Sequence, residues 1–165
     1  MLCMYKYQHW ISIFSDALLK LCFGFIFFNY GYAKLNMLFL GNGEGLINMV
    51  STIPIVGIFP IFFSWTLAFA EIIVFLGLLY GILSFLPFSN LITKLAGLLS
   101  LLITIVIIYQ HIFAWGDNVF SYGPFDFLNI EEGKKSIFGQ ILFFPISLYI
   151  IFSNSHNNNY INDTK

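Results

Sequence analysis

Glu71 is the residue with the clearest potential for chemistry, because it lies in the middle of the most apolar stretch of the chain. No charged residue occurs from Gly45 to Ala70 before it, or from Ile72 to Thr93 after it. A carboxylate near the centre of a hydrocarbon layer costs about 2.5 to 3.5 kcal/mol on insertion scales, so it normally faces a bundle interior and finds a partner. The pattern predicts a buried group that accepts a proton or a hydrogen bond.

Composition predicts the environment in which Glu71 works. The 165 residues are 59% hydrophobic and only 9% charged, whereas soluble domains are about 25% charged. The sequence therefore indicates an integral membrane protein whose first partner is the lipid bilayer. Because each span needs about 20 apolar residues, the length allows about four spans and no sizeable soluble domain.

Charge and cysteine content exclude several kinds of site. The net charge is -1, and neither a nucleic-acid footprint nor a polybasic lipid-binding cluster is present. Cys3 and Cys22 have neither the spacing of a dithiol redox pair nor a metal-ligand pattern, so no metal site is expected. The chain also lacks a haem ligand pair and a flavin fingerprint, so any electron carrier is a diffusible molecule or belongs to a partner.

The hydrophobic pattern predicts an all-α membrane protein, a four-transmembrane-helix bundle with a short interfacial or re-entrant segment between helices 1 and 2. Leu46–Val56 is this segment, since it is too short to span and is interrupted by Pro54. The expected bounds are an N-terminal tail (1–11), a membrane domain (12–153) with spans Ser12–Leu35, Pro60–Ser84, Leu91–Trp115 and Ser136–Ser153, a loop Gly116–Lys135, and a disordered Asn-rich tail (154–165).

Several residues refine this scheme. Ser15 and Asp16 are expected at the start of the first helix, and Lys20 and Lys34 are expected to snorkel from its two ends. Small residues Ala96, Gly97 and Ser100 are spaced to let another helix approach the third span closely. Pro145 predicts a kink in the fourth.

Lysine placement predicts orientation. Four spans put both termini on one face. That face then carries four of the seven lysines, which under the positive-inside rule favours cytoplasmic termini. The four are Lys6, Lys20, Lys94 and Lys165, against Lys34, Lys134 and Lys135 on the opposite face.

Polar and aromatic residues gather at the outer end of the predicted bundle. Tyr30 and Lys34 share one helix face as i and i+4. Glu71 lies about 16 Å below the span start at Pro60, and His111 about 6 Å below the span end at Trp115, so a direct bond between them is not expected. A water, a tyrosine hydroxyl or a ligand carbonyl could bridge them if the helix boundaries shift. The other members of the group are Asn29, Trp65, Tyr109 and Gln140.

Each candidate has an alternative interpretation that involves no catalysis. Glu71 could be a neutral carboxyl that joins neighbouring helices during assembly. His111 could contact headgroups or loop backbone at the interface, and Lys34 could simply end a helix by snorkelling. The aromatic faces could be lipid contacts rather than a quinone slot.

Three stretches resemble the DoxX family in their order and spacing, over Asp16 to Trp115. They are Asp16–Leu21 with Gly24 and Asn29–Leu35, then Ala70–Glu71 with Leu76–Leu78, and finally Lys94–Leu98 leading to His111. The family is a four-helix group of the bacterial inner membrane, named after a subunit of a thiosulfate:quinone oxidoreductase. The loop after Trp115 has no clear counterpart in the family's pattern.

The resemblance implies a small membrane subunit of a quinone-linked redox system, with no covalently bound cofactor. Glu71 would accept a proton, His111 would donate to a quinone carbonyl, and Lys34 would stabilise a reduced anionic form. Tyr30 and Tyr109 would act as relays, and Asn29 and Trp65 would line the ligand. The partner would be a soluble redox enzyme or a second membrane subunit. Alternative functions are a non-catalytic scaffold that docks a soluble enzyme and a small transporter.

Overall fold

The computed structural model describes residues 2–114 and 138–153. The predicted loop Gly116–Lys135 and the tail 154–165 lie outside the described residues. The described part of the chain is helical and contains no strand. Its helices are α1 (Leu2–Phe39), α2 (Glu44–Ser51), α3 (Pro60–Ile82), α4 (Ser89–Tyr109) and α5 (Phe138–Phe152), with a 3-10 turn at Val56–Ile58 and a π-helical turn at Gln110–Ala114.

Three helices are long and apolar enough to cross a membrane by length and composition. They are Trp10–Phe39 in α1, Pro60–Ile82 in α3 and Ser89–Phe113, which combines α4 with most of the π turn. In α5 the apolar helix is shorter, Gln140–Phe152, and it continues through Pro145. Three candidate spans are therefore shown, and the predicted fourth is not among them.

Helix α1 is longer at both ends than predicted. It begins at Leu2 rather than Ser12, so Asp16 lies inside the helix and does not mark its start. The C-terminal end is set by a Schellman motif: Gly41 has φ +76, and the N–H of Asn42 donates to the carbonyl of Met37 at 2.9 Å. Since this glycine, and not Asn36, stops the helix, α1 runs to Phe39 instead of Leu35.

The long helices pack antiparallel in chain order, α1 on α3, α3 on α4 and α4 on α5. At one end of the α1–α3 pair the rings of Phe39 and Trp65 are 4.9 Å apart, and further along those of Phe28 and Phe75 are 5.0 Å apart. The rings of Phe23 in α1 and Phe143 in α5 are 5.5 Å apart. A core therefore lies between the helices, and its buried members are Phe23, Phe27, Val74, Leu78, Ala96, Ile103 and Ile150.

Small residues permit these close contacts, as the sequence predicted for α4. A Cβ added to Gly77 would lie 2.8 Å from the Cβ of Ala96, and one added to Gly97 would lie 2.9 Å from Ile150. The hydroxyls of Ser100 and Ser147 are 2.8 Å apart between α4 and α5. The predicted close approach at Ala96, Gly97 and Ser100 is confirmed.

The faces of α4 have the polarity that a lipid environment requires. Most of its buried hydroxyls are bonded within the helix, as in Thr93 to the Ser89 carbonyl and Thr104 to the Ser100 carbonyl. A surface helix of a soluble protein has the opposite arrangement, with polar residues outside. The exposed side of α4 carries apolar residues at helical spacing, namely Leu91, Leu95, Leu98, Leu102 and Ile105.

The short helix α2 packs against one end of the bundle. Leu46 and Val50 are buried, whereas Glu44 on the other side is exposed. The side-chain amide of Gln110 donates to the Met49 carbonyl at 3.3 Å and to the Thr52 hydroxyl. This ties the C-terminal end of α2 to the π-helical turn after α4. The position of α2 relative to the bilayer stays a prediction.

Between α2 and α3 the chain makes a classic γ-turn centred on Ile55. Its φ and ψ are 71° and -53°, and the N–H of Val56 donates to the Pro54 carbonyl at 2.8 Å. This turn is rare and strained, and a β-branched residue at positive φ is a genuine outlier. The Ile55 side chain is 84% exposed, so packing contributes little to offset the strain.

Replacing Ile55 with glycine should therefore raise the free energy of unfolding by about 1 kcal/mol, because glycine adopts positive φ without the Cβ clash. Denaturant unfolding of the detergent-solubilised protein, followed by circular dichroism, measures the change. The matched control is Ile58→Gly, also at an exposed isoleucine (70%) but without positive φ. That control should lose stability, and an equal loss for Ile55→Gly would contradict the argument.

Candidate functional site

Lys34 and Glu71 form an ion pair that joins α1 to α3. The Lys34 ammonium donates to Glu71 Oε1. The side chain of Glu71 is 2% exposed and that of Lys34 is 18% exposed. Glu71 thus faces the bundle interior, and its partner is Lys34 rather than His111. The alternative that Lys34 only ends a helix by snorkelling is wrong, because its amine turns toward the carboxylate.

Gly31 explains why the two helices can hold this pair. It lies one turn before Lys34 on α1 and is buried. A Cβ at this position would lie 2.9 Å from the Ala68 carbonyl oxygen and 3.0 Å from the Glu71 Cβ. Backbone therefore approaches backbone at the level of the ion pair, as small residues allow in membrane helix packing.

Tyr30 completes the surroundings of the ammonium. The Lys34 Nζ lies 5.5 Å from the centre of the Tyr30 ring, within the range of a cation–π interaction. The predicted i, i+4 neighbours therefore do meet, but through the ring face rather than through the phenolic hydroxyl that a relay would use. Tyr30 is 47% exposed, so this side of the pair is open to the bundle surface.

The second oxygen of Glu71 is unpaired within the described part of the chain. Oε2 is buried and has no hydrogen-bond partner among the described residues. The hydroxyls of α3 cannot supply one, since Ser64, Thr66 and Tyr80 each donate to a backbone carbonyl. Glu71 therefore keeps a buried acceptor beside a positive charge.

His111 is buried in the π-helical turn, only 4% exposed. Its burial argues against the alternative of an interfacial residue facing headgroups. Neighbouring Gln110 is 3% exposed, and its Oε1 has no partner within the described part of the chain.

The remaining predicted ligand residues have other surroundings. Trp65 packs edge-on against Phe39 and stacks on Phe69, with ring centres 6.0 Å apart. The ring of Tyr109 lies 4.8 Å from that of Phe113, and its relay role stays a prediction. Asn29 is exposed on α1. The structure thus brings together Tyr30, Lys34 and Glu71 from the predicted set.

No family model, curated protein or solved structure matches this chain. The resemblance to the DoxX family stays a prediction, and function must be argued from the geometry of the site. Among the described residues, no group of three or more His, Cys, Asp or Glu side chains could hold a metal ion.

A second polar cluster was not predicted. Lys20 is buried, 5% exposed, and its Nζ lies 2.6 Å from Asp16 Oδ2. The Tyr149 hydroxyl of α5 donates to Asp16 Oδ1 at 3.4 Å. The prediction that Lys20 snorkels is wrong. Helix α1 begins 18 residues before Lys20, and the Lys20 amine is buried in an ion pair with Asp16, one turn earlier in the same helix. The i, i+4 spacing of Asp16 and Lys20 was the available signal, whereas nothing in the sequence pointed to Tyr149.

The arrangement at Glu71 can bind a small polar headgroup. An ammonium keeps N–H donors beyond the one it gives to Glu71, since it has three in all. The carboxylate offers a further acceptor in Oε2, which is buried and unpaired among the described residues. A ligand that has both an acceptor and a donor would satisfy both groups, while its apolar remainder lay along the exposed aromatic surface.

Proposed function

We propose that this protein is a membrane-embedded four-helix bundle of DoxX type and acts as the small membrane subunit of a quinone-linked redox system. We place it in the bacterial inner membrane with cytoplasmic termini, next to a soluble redox enzyme or a second membrane subunit. The Lys34–Glu71 pair is the observation that carries the proposal. An ionic pair between apolar helices is costly in a bilayer and normally marks a functional site.

The groups at the site fit a quinone headgroup. Lys34 can donate a hydrogen bond to a carbonyl oxygen, and its positive charge stabilises the added electron density on that oxygen. Glu71, when protonated, can pass a proton to that oxygen, because reduction of a quinone takes up protons. A bound quinone supplies the electron chemistry, and the electrons come from the partner. His111 is proposed as a second donor, from the buried π turn.

Access from the lipid supports a membrane-soluble ligand. Lys34 is the more open member of the pair, and the Tyr30 ring beside it is about half exposed. The exposed surface of the two helices is apolar, with Phe25 on α1 and Phe69 on α3 among its exposed aromatic side chains. A quinone dissolved in the hydrocarbon layer can therefore approach along α1 without crossing the headgroups.

The test is equilibrium binding of a short-tailed benzoquinone to the purified, detergent-solubilised protein. The variant to compare is the double substitution Lys34→Met with Glu71→Leu, which removes both charges together and so avoids an unpaired buried ion. Wild type should bind saturably, and the double variant should bind at least about tenfold more weakly. Lys94→Met, at a partly buried lysine with no ion pair among the described residues, should bind like wild type.

The alternative function, a non-catalytic scaffold, is favoured by one observation. The ion pair bridges α1 and α3 at the level where Gly31 lets the two helices approach closely, and an assembly contact would also lie there. Failure of well-folded wild-type protein to bind any quinone would contradict the redox proposal and leave the scaffold. In that case Glu71→Gln should lower the amount of assembled protein without a specific loss of turnover.

A further inference from the structure

The hydrogen-bonding capacity of the Lys34–Glu71 site shows which redox form of a ligand it complements. Glu71 has two carboxylate oxygens and no donor of its own. Oε1 accepts from Lys34, while Oε2 is buried and accepts from none of the described residues. A buried acceptor left without a donor is destabilising, and more so when it is charged. The site therefore favours a ligand that brings a donor to Oε2.

The protein has few means of supplying that donor itself. On α3 the three hydroxyls already donate to the carbonyls of Pro60, Phe62 and Pro87. On α4 the hydroxyls of Thr93, Ser100 and Thr104 are likewise committed to backbone carbonyls. Tyr30 meets the ammonium with its ring face. Turning one of these hydroxyls toward Oε2 would therefore break the hydrogen bond that it already donates to a backbone carbonyl.

Quinone and quinol differ in what they offer to such a site. A quinone headgroup has two carbonyl acceptors and no donor, so it can accept from Lys34 but leaves Oε2 unsatisfied. A quinol has two hydroxyls, each both donor and acceptor. One quinol hydroxyl can accept from the Lys34 ammonium and donate to Glu71 Oε2 together. The reduced ligand therefore satisfies both members of the pair through a single oxygen.

We propose that the Lys34–Glu71 site binds the quinol form in preference to the quinone form, with Glu71 Oε2 as the group that selects it. This inference rests on the proposed function, because it takes the ligand to be a quinone or quinol. Selection by one oxygen makes Glu71 a specificity residue.

The experiment compares three probes by equilibrium dialysis under anaerobic conditions: a short-tailed benzoquinol, the corresponding benzoquinone, and the dimethyl ether of the quinol. The ether keeps the ring and oxygens but has no O–H to donate. Wild-type protein should bind the quinol at least about tenfold more tightly than either other probe. Because this comparison uses wild type alone, it stands even if a variant fails to fold.

A variant locates the selecting group. Glu71→Gln replaces one acceptor oxygen with an N–H donor, so the preference for quinol should disappear or reverse toward quinone. Glu44→Gln makes the same chemical change at an exposed carboxylate on α2 and should leave the preference intact.

The binding results distinguish failure of the inference from failure of the proposed function. Equal binding of quinol and its dimethyl ether, or tighter binding of quinone, would overturn the inference while leaving the proposed function in place. Retention of the quinol preference in folded Glu71→Gln protein would also overturn it. Absence of binding for all three probes would overturn the proposed function and the inference with it.

Discussion

Replacing Lys34 with methionine should lower the free energy of unfolding by about 3 to 5 kcal/mol, the cost of breaking a buried ion pair on one side. The reason is the partner left behind, since Glu71 is 2% exposed and no described residue takes the place of the ammonium. Denaturant titration in detergent micelles, followed by circular dichroism, gives the free energy. Surface ion pairs contribute only about 0 to 1 kcal/mol, so the expected loss is well outside that range.

The double substitution Lys34→Met with Glu71→Leu should recover most of the stability lost in the single variant. Removing both charges leaves two apolar side chains of similar size, and such replacements of buried pairs are often neutral or stabilising. Lys94→Met is the control for removing a lysine from the start of a helix, and it should change stability little. A loss below about 1 kcal/mol in the Lys34 single variant would contradict the burial argument.

The second large effect is expected at Gly31. Substitution by leucine should lower the free energy of unfolding by about 3 kcal/mol, because the added side chain must displace the α3 backbone and separate the ion pair. Leucine has a higher helix propensity than glycine by nearly 1 kcal/mol. A net loss of stability would therefore mean that the steric cost exceeds this gain. The contact that forces the displacement is a rigid carbonyl oxygen, that of Ala68.

Gly45→Leu is the matched control, since Gly45 lies in α2 and a Cβ there would meet nothing within 4 Å. That variant should be as stable as wild type or slightly more so. A double-mutant cycle adds a mechanistic readout: Gly31→Leu and Lys34→Met should be less than additive, because either change breaks the same pair. Full additivity would show that Gly31 acts on packing alone.

The sequence predicted which group is buried but not which group binds it. Glu71 could be located because its burial follows from the absence of charge on either side. Lys34 was also a candidate, yet with the first span ending at Leu35 it lay about 15 Å from the depth of Glu71. The helix runs four residues further, to Phe39, which lowers Lys34 by about 6 Å and brings its long side chain within reach.

Contacts between helices are hard to predict from the sequence, because the rotation of each helix and its distance from its neighbour depend on tertiary packing. The i, i+4 spacing of Tyr30 and Lys34 is local, and the contact follows from it. The facing of Gly31 toward Ala68 depends on how α1 crosses α3, which no periodicity within α1 determines. The same holds for Tyr149, whose contact with Asp16 joins residues far apart in the chain. Helix starts set by local chemistry, such as Pro60 at the start of α3, were predicted correctly.

The position of Glu71 at the central residue of α3 has a consequence for the order of biosynthesis. During synthesis α1 leaves the ribosome first, and Lys34, five residues from its end, can extend its amine toward the membrane surface while it waits. Glu71 has no such route, being equally far from both ends of its helix. An α1 that is already in place to receive the carboxylate therefore lowers the cost of inserting α3. The first helix thus assists the membrane insertion of the third.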